Sequence, residues 1–339
     1  MAVSCGTKPG HGHYFLRELI KQVPDAPALT IAKKAYKQHP ELWPSIEACR
    51  SMVRKIFGAS GKGARSKTRD KSFFRKPRPA GWKGVIPESL AQSNWSAFEI
   101  KEAHRTLLLA DIHIPFHDQP ALETALNYGL KRNPSLLILN GDIFDHFAIS
   151  RWVKDPRKRN FIEEVKDGKQ FLKGLRSRFP RARIIFKKGN HEERYELFLQ
   201  LKAPELFGLP EFEWGNVFGL DDLGIELVDQ KRPIRLGKLN VLHGHEYVFQ
   251  ISNPVNPARG LFLRAKTHCI AGHFHQVSQH SERDLNQHII STWSTGCLCD
   301  LHPDYRPLNP WSSGFAFVET DSRGSFHVNN LRIIDGEVY

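Results

Sequence analysis

This 339-residue sequence has few cysteines and no long apolar run. No apolar run approaches the roughly 20 residues that a helix needs to cross a bilayer, which argues against a membrane-spanning protein. The start of the chain, MAVSCGTKPGHGHYF, contains no apolar core of the kind that a secretory signal requires. Five cysteines, an odd number, argue against a disulfide framework. We therefore expect a cytoplasmic protein whose thiols are reduced.

Acidic residues are scarce in the first third of the chain. Residues 1–105 contain 20 Lys and Arg against 8 Asp and Glu, whereas the rest of the chain contains 29 against 28. Almost the whole net charge of +13 therefore lies in the N-terminal part. A merely solvated surface does not require such segregation, whereas a segment that binds a polyanion does. We expect nucleic acid, DNA in the first place, as its partner.

Three short helical patterns open the protein: HYFLRELIKQ, ALTIAKKAYKQ and SIEACRSMVRKIFG. In the third, apolar residues recur at helical spacing and predict a buried stripe formed by Ile46, Cys49, Val53, Ile56 and Phe57. Ser45 is a suitable N-cap for this helix. The candidate nucleic-acid-binding residues face away from the stripe: Arg50, Arg54 and Lys55. Three short helices with a basic last one resemble a helix-turn-helix module, although many small helical bundles share this pattern.

The segment after these helices, residues 58–95, predicts a basic linker. Its part from 58 to 84 contains nine Lys and Arg, one acid, five Gly and two Pro, a composition that cannot bury much apolar surface. Phe73, Phe74 and Trp82 could stack on bases, or equally dock onto the neighbouring domain. We therefore divide the chain into a helical module over 1–57, the linker over 58–95 and a larger domain over 96–339.

From about residue 96, apolar strand-like runs alternate with amphipathic helical segments. The first runs are LLLA at 107–110, LLILN at 136–140 and RIIF at 183–186, with helices near 119–131 and 161–178 between them. This alternation predicts a layered α/β domain. Later runs are shorter and predict further strands: IELVD, PIRL, NVLH, CIAG, IISTW and GFAFVET.

The ends of five of these runs carry aspartate, asparagine or histidine. They lead, in order, into Asp111 and His113, Asp142 and Asp145, Asn190 and His191, His243 and His245, and His273 and His275. Ligands of open α/β sheets bind beyond the carboxyl ends of the strands, so we expect these residues to converge. Gly-Asn-His at 189–191, taken alone, also fits a turn in which Asn190 caps the helix EERYELFLQ. Five such ends together favour a metal site.

The types of these residues indicate the metals that they would bind. Carboxylate, imidazole and amide oxygen suit borderline or hard divalent ions, and we expect manganese, with iron or zinc as alternatives. So many ligands favour two ions bridged by a carboxylate. No cysteine is expected to contribute, since Cys297 and Cys299 are too close together for the usual zinc-knuckle spacing and have no second pair nearby.

The blocks D-x-H, G-D-x-x-D, G-N-H-E, an isolated His and G-H-x-H follow one another over about 105–280, and this order resembles the calcineurin-like metallophosphoesterase superfamily. The resemblance implies a four-layer α/β/β/α sandwich and a phosphoesterase with two divalent metal ions. It implies that one metal is bound by Asp111, His113 and His275, the other by Asn190, His243 and His273, and that Asp142 bridges both. It further implies that His191 is the general acid and that Asp145 orients it.

Several neighbouring residues need a separate interpretation. We take His243 rather than His245 as the ligand because His243 directly follows its strand, and we interpret Glu192 as a structural hydrogen-bonding partner. Four arginines are candidates for neutralising the phosphate: Arg151, Arg194, Arg259 and Arg264. Protein serine/threonine phosphatases of this superfamily carry Asp-Arg-Gly after the second block. Here the sequence reads Asp145-His146-Phe147, which argues against a phosphoprotein substrate.

Three functions remain open from the sequence. The first is a metal-dependent phosphoesterase of nucleic acid, of the phage or bacterial nuclease type, delivered to its substrate by the basic arm. The second is a phosphatase or phosphodiesterase of nucleotides or other small molecules, in which the arm serves localisation. The third is a DNA-binding regulator whose metal centre is structural. The intact ligand set, together with His191, argues against the third.

Overall fold

The computed structural model describes residues 10–57, 84, 86–88, 95–153, 157, 160–247 and 255–339. Its contacts divide the chain into two compact units, residues 1–90 and 91–339. The predicted linker, including Phe73, Phe74 and Trp82, lies almost wholly outside the described residues, and the three-part division of the chain stays a prediction. Among the helices that the structure describes, none is long and apolar enough to cross a membrane.

The N-terminal unit contains the three predicted helices, α1 (His11–Gln22), α2 (Ala28–Gln38) and α3 (Ile46–Ile56). Ser45 caps α3 as predicted, because its Oγ accepts a hydrogen bond from the backbone N–H of Ala48 at 3.1 Å. The helices pack around an apolar core of their own, formed by Leu16, Leu19, Ile20, Ile31, Ala32, Ala35, Trp43, Cys49, Val53 and Ile56. Ile46 and Phe57, the other members of the predicted stripe, are partly buried at its edge.

The connection between α2 and α3 differs from that of a helix-turn-helix motif. It includes a 3₁₀ turn at Pro40–Leu42 and runs from residue 39 to residue 45. The motif usually has a turn of about three to four residues, and this connection is longer. The assignment of the three helices to a helix-turn-helix module therefore stays a prediction. On α3, Arg54 and Lys55 are exposed, while Arg50 pairs with Glu47 at 3.3 Å.

Among its described residues, the larger unit contains two β-sheets and five α-helices. The strands are, in chain order, β1 (Phe98–Ile100), β2 (Arg105–Leu109), β3 (Leu136–Asn140), β4 (Arg183–Lys187), β5 (Ile225–Val228), β6 (Ile234–Leu236), β7 (Leu239–Leu242), β8 (Cys269–Ala271), β9 (Ser278–Arg283), β10 (Ile289–Ser294), β11 (Gly314–Thr320), β12 (Phe326–Ile334) and β13 (Glu337–Val338). The helices are α4 (Gln119–Arg132), α5 (Phe161–Arg178), α6 (Glu193–Lys202), α7 (Trp214–Phe218) and α8 (Pro257–Ala265).

The predicted strand ends belong to two groups of parallel strands, one in each sheet. The first sheet has the order β13-β12-β11-β2-β3-β4-β5, and its strands β2 to β5 are parallel to one another. The second sheet has the order β1-β6-β7-β8-β10-β9, and β7, β8 and β10 are parallel within it. Three of the predicted blocks therefore follow strands of the first sheet, and two follow strands of the second.

Alternation of side chains along the strands produces the layers. Leu108 on β2 belongs to the core between the two sheets, together with Ile138 of the first sheet and Val241 of the second. Its neighbour Leu107 belongs to the core that α4, α5 and α7 share with the first sheet. Leu261 of α8 packs on the second sheet in a smaller cluster. The unit therefore has four layers in the order helix, sheet, sheet, helix, as predicted. Strands that are covered on both faces have nearly continuous apolar sequences.

Candidate metal centre

The two sheets bring the predicted strand ends together. Oδ1 of Asp111, after β2, lies 3.2 Å from Nε2 of His275, after β8. Oδ2 of Asp142, after β3, lies 3.2 Å from Nε2 of His243, after β7. Each of these pairs joins one sheet to the other, so the centre is formed by both.

Sharp backbone turns aim these side chains. A left-handed backbone, with φ between 53° and 67°, is found at Asp111, His113, Asp142, His273 and His275. Residues other than glycine adopt this conformation at a cost, and such strain concentrates where function requires it. A chain that turns immediately after a strand can direct successive polar side chains toward one point.

Two glycines of the motifs permit the close approach of neighbouring blocks. A Cβ on Gly189 would lie 2.3 Å from Asp142 Oδ1, and a Cβ on Gly272 would lie 2.6 Å from Asp111 Oδ2. Any side chain at either position would therefore displace one of the two carboxylates. The glycine before Asn190 and the glycine before His273 are required by this packing.

Asp111, His113 and His275 form the first group of predicted ligands. The Nε2 atoms of His113 and His275 lie 3.4 Å apart, and Asp111 Oδ1 faces the latter. His113 Nδ1 lies 2.9 Å from the carboxylate of Asp145, so this nitrogen is the donor and Nε2 carries a lone pair. The group consists of acceptor atoms that point toward one another inside the protein.

The second group contains Asp142, Asn190, His243 and His273. His243 Nδ1 donates to the backbone carbonyl of Asn140 at 2.8 Å, which directs Nε2, the nitrogen that could bind a metal, toward Asp142. Within the described part of the chain, His243 Nε2 and Asn190 Oδ1 are buried without a hydrogen-bond partner. Asp142 Oδ2 lies 3.9 Å from His113 Nε2 as well, so it stands between the two groups.

Converging acceptors of this kind fit divalent cations. Buried lone pairs that face one another repel unless a donor or a cation lies between them. Three sets of residues lie close enough to hold an ion: Asp142, His243 and His273; His113, Asp142 and His191; and His113, His275 and Cys299. Asp142 belongs to two of them, and carboxylate, imidazole and amide oxygens are the ligands that such ions prefer.

The carboxylates and histidines perturb one another strongly. Burial alone would lower the pKa of His243, but the carboxylates of Asp142 and Asp111 outweigh it and raise the pKa to about 10. Burial and the charge on His243 lower the pKa of His273 to about 4. Burial would raise the pKa of Asp142, but His191 and His243 hold it well below its ordinary value. Asp142 is therefore ionised and His273 is neutral near pH 7, as ligands must be.

His191 lies beside this centre with Asp145 and Arg194. His191 Nδ1 donates to the backbone carbonyl of Asp145 at 2.9 Å and lies 3.3 Å from its carboxylate. That carboxylate also orients His113, so Asp145 positions two rings rather than the one predicted. Arg194 donates from Nη2 to His191 Nε2 at 2.8 Å and from Nη1 to the same carbonyl at 2.7 Å. Among the four candidate arginines, Arg194 is the one placed at His191.

The other candidate arginines lie further out. The guanidinium of Arg151 is 5.0 Å from the ring centroid of Trp152. Arg259 and Arg264 are on the exposed side of α8. His146, which replaces the phosphatase arginine, is buried, with Nδ1 2.7 Å from Glu164 and Nε2 accepting from Trp214. It belongs to the core rather than to the metal centre.

Glu192 holds two of the blocks in place, as interpreted from the sequence. Its carboxylate is fully buried and accepts hydrogen bonds from four backbone N–H groups, those of Asp142, Ile143, Phe144 and Gly189, at 2.8–3.0 Å. Asn190 does not cap α6, which begins with Glu192 in the cap position and without a side-chain cap. The turn at 190–192 is present, but the interpretation of Asn190 as a helix cap is wrong.

His243 and His245 have different surroundings. His243 faces Asp142, whereas His245 Nε2 lies 3.0 Å from Glu193. Glu246 accepts from the backbone N–H of His243 at 2.9 Å and pairs with the buried Lys187 at 2.8 Å. Burial would raise the pKa of Glu246, but Lys187 and the two histidines lower it to about 2. This ion pair ties the end of β4 to the turn that carries His243.

A cysteine lies close to the first group of ligands. Cys299 is buried, and its Sγ is 3.9 Å from His275 Nδ1. Together with His113 and His275 it forms one of the sets close enough to hold an ion, and the expectation that no cysteine is a ligand stays a prediction. The sequence Gly296-Cys-Leu-Cys299 follows a further parallel strand, β10, as the five predicted blocks follow theirs.

Residues 104–307 match the calcineurin-like phosphoesterase family. The match covers more than half of the chain and contains every residue of the centre described above, so the chain belongs to this family. It is accordingly a metal-dependent phosphoester hydrolase, and its family uses a centre of two divalent metal ions. A regulator with a purely structural metal centre is not supported. The three N-terminal helices lie outside the matched residues.

Relatives of this chain occur in mycobacteriophages. It is 26% identical over 232 residues to the Gene 54 protein of Mycobacterium phage L5, covering 65% of this chain and 90% of that protein. It is also 26% identical over 230 residues to the Gene 54 protein of phage D29, covering 64% and 89%.

Solved structures with a similar fold are more distant. Vacuolar Protein Sorting 29 from Cryptosporidium parvum has a TM-score of 0.38 and 12% identity over 70% of this chain and 95% of that one. The Escherichia coli phosphoesterase Yfce has a TM-score of 0.33 and 14% identity over 67% and 98%. A dimetal phosphatase from Danio rerio has a TM-score of 0.31 and 11% identity over 64% and 92%.

Proposed function

We propose that this enzyme hydrolyses phosphodiester bonds in nucleic acid, with DNA as the preferred polymer, and that its basic N-terminal unit binds the same polymer. The observation that carries the proposal is the placement of positive charge. Residues 1–90, the N-terminal unit, contain 18 Lys and Arg against 6 Asp and Glu, so a net charge of +12 out of +13 lies outside the α/β unit that contains the centre. A small phosphate ester does not need so large a basic surface, whereas a polyanion does.

A second basic feature lies beside the centre. A groove of about 800 Å³ is lined by Asn190 and Arg194 near the metal ligands and by Arg151 and Lys202 further out. We call it the basic groove. Glu193 is the one acid that lines it among the described residues. Its net positive charge suits the backbone of a nucleic acid that continues beyond the phosphate being cleaved.

The metal ligands follow from the two groups of acceptors. Asp111, His113 and His275 would hold one ion, and Asn190, His243 and His273 the other, with Asp142 shared. Manganese suits these ligands, as do iron and zinc. When bound, two such ions would polarise the phosphoryl oxygens and supply a nucleophilic water at neutral pH.

His191 and Arg194 would handle the leaving group and the phosphate. With substrate bound, Arg194 turns its Nη2 from His191 toward a phosphate oxygen, where a guanidinium binds well. His191 Nε2 is then free to carry a proton and to give it to the departing ester oxygen. Asp145 holds the opposite side of the ring through its backbone carbonyl.

Hydrolysis of matched esters tests the proposal. The full-length protein, loaded in turn with Mn²⁺, Fe²⁺ or Zn²⁺, is assayed with single-stranded DNA, duplex DNA, a nitrophenyl phosphodiester and a nitrophenyl phosphomonoester. We expect cleavage of DNA and preference for the diester. Rapid turnover of the monoester with no cleavage of either DNA would refute the choice of substrate.

Binding to DNA tests the role of the N-terminal unit separately. Arg54→Gln with Lys55→Gln removes two exposed charges of α3, and Lys166→Gln with Lys169→Gln removes two exposed charges of α5 as a control. If each α3 charge contacts a phosphate, the slope of log affinity against log salt falls by about 1.8 in the first variant only. Equal slopes in both variants would remove α3 from the interface.

Deletion of residues 1–84 extends this test. It removes 18 Lys and Arg against 5 Asp and Glu and spares every proposed metal ligand. Turnover of the nitrophenyl diester should stay within about twofold, because the larger unit has its own cores. DNA binding should weaken and its salt dependence should flatten. If DNA affinity survives, the arm is not a nucleic-acid module.

The second candidate, a phosphodiesterase of nucleotides or other small molecules, is favoured by one observation. The connection between α2 and α3 is longer than that of a helix-turn-helix motif, so this part of the N-terminal unit gives no support to a duplex-reading role. The same DNA assays distinguish this candidate from the first.

A further inference from the structure

A second cavity opens on the opposite group of metal ligands. It has a volume of about 420 Å³ and is lined by His113 and His275 together with Phe116, Phe147, Tyr305 and Trp311. We call it the aromatic pocket. Its size falls within the range of about 300–1,000 Å³ that is typical of small-molecule sites. It touches the ligands of the first metal group, whereas the basic groove touches Asn190 of the second.

The aromatic side chains of this pocket support one another. The rings of Phe116 and Phe147 are 6.1 Å apart and perpendicular, and Trp311 lies edge-on at 4.2 Å from His275. Tyr305 lies 6.4 Å from Trp311 and is 80% exposed. Exposed aromatic rings beside a metal centre leave apolar surface that a flat ring can cover.

Backbone hydrogen bonds fix the two walls of the pocket to each other. The N–H of Asp300 donates to the carbonyl of Phe116 at 2.9 Å, and the N–H of Asp118 donates to Leu298 at 2.9 Å. The segment that follows β10 is therefore attached to the segment that follows β2. The pocket is part of the fold rather than an opening between unconnected loops.

The two cavities differ in charge. Asp145, Asp300 and Asp304 line the aromatic pocket, and no Lys or Arg lines it among the described residues. Arg151, Arg194 and Lys202 line the basic groove. A phosphate backbone is repelled by the first and attracted by the second. A neutral aromatic ring with N–H donors suits the first, because carboxylates accept hydrogen bonds from such groups.

We propose that the aromatic pocket binds one nucleobase of the ester that is hydrolysed, while the rest of the phosphate backbone extends along the basic groove. The base stacks on the aromatic side chains and directs N–H groups toward Asp300 or Asp304. A base inside a duplex is stacked on both sides and cannot enter, so the substrate is single-stranded or presents an unpaired terminal nucleotide. This inference rests on the proposed function and specifies its substrate.

Two esters with one leaving group test the pocket. Thymidine 5′-(p-nitrophenyl phosphate) and methyl p-nitrophenyl phosphate differ only in the group that would enter it. The full-length Mn²⁺-loaded protein should prefer the nucleoside ester by about 10- to 100-fold in kcat/KM. Tyr305→Ala should reduce this preference about 5- to 20-fold, mainly through KM, and Tyr305→Phe should retain it. Leu308→Ala, in the same segment but outside the pocket, is the control.

The outcomes separate this inference from the proposed function. Equal kcat/KM for both esters in the parent protein, or an unchanged preference in Tyr305→Ala, would refute base binding by the aromatic pocket. Neither result would contradict the proposed phosphodiesterase activity. Calorimetric titration with thymidine 5′-monophosphate tests the pocket even where no ester is hydrolysed. Binding that Tyr305→Ala weakens and Tyr305→Phe preserves supports the pocket, and binding that is absent, or is the same in all variants, refutes it.

Discussion

Glu192→Gln exchanges one oxygen for an NH₂ group and should nevertheless destabilise the larger unit severely. Oε1 of Glu192 accepts from the backbone N–H groups of Ile143 and Phe144, and Oε2 accepts from those of Asp142 and Gly189. Glutamine keeps one acceptor oxygen, so whichever way its amide is turned, two of these four buried donors face another donor.

The magnitude follows from this count. A buried donor left without an acceptor costs about 1–3 kcal/mol, so two of them cost about 2–6 kcal/mol. For a unit of about 250 residues, each kcal/mol lowers Tm by about 2–4 °C. Since the total stability of such a unit is only about 5–15 kcal/mol, the upper part of this range would leave much of the chain unfolded.

Thermal and urea unfolding of protein treated with EDTA measure this loss without a contribution from bound metal. Glu193→Gln is the matched control, because the carboxylate of Glu193 is partly exposed and, among the described residues, pairs with the side chains of His245 and Lys231. It should cost about 1 kcal/mol or less. If Glu192→Gln unfolds within 1 kcal/mol of the parent, the carboxylate is not what holds the second and third blocks together.

Three further predictions concern the centre itself. Asp142→Asn should abolish hydrolysis and lower the content of both metals, since Asp142 stands between the two groups; two ions per chain by metal analysis would contradict the bridge. His191→Ala should keep both ions and lose about 10²- to 10⁴-fold in turnover of natural esters, with a smaller loss for nitrophenyl esters; equal losses would exclude a general acid. In metal-free protein, the raised pKa of His243 means that its protonated ring adds to the free energy of unfolding. This contribution is complete below about pH 6.5 and is lost as the pH rises through about 10. The Tm of the EDTA-treated parent protein should therefore fall between pH 7 and pH 10, and the Tm of Asp142→Asn should fall less. An equal fall in both proteins would refute the pairing of His243 with Asp142.

The strands that carry the centre were predictable because they are covered on both faces. Strands such as β3 and β4 consist of almost uninterrupted apolar residues, and the polar residues at their ends stand out for that reason. Their convergence was predictable because ligands of open α/β sheets bind beyond the carboxyl ends of the strands. The resemblance to a family added the assignment of each residue to one ion or the other, which spacing alone could not provide.

The missed elements lack such a pattern. β9 reads SQHSER and is largely exposed at the edge of the second sheet, where only β10 pairs with it, so no apolar alternation marks it. The pairing of Arg194 with His191 depends on one turn of α6 and on the backbone carbonyl of Asp145. The aromatic pocket joins residues about 190 positions apart. Contacts of this kind are set by tertiary packing and have no local signature.

Because both sheets contribute ligands, the proposed ions would cross-link the two halves of the sandwich. Asp111, Asp142 and Asn190 belong to one sheet, and His243 and His273 belong to the other. Any ligand that binds only the folded state stabilises it by mass action, by about 2.7 kcal/mol at a concentration of 100 times Kd. The metal supply of the cell would then set the lifetime of this enzyme against proteolysis as well as its rate, and starvation for the bound metal would remove the protein itself.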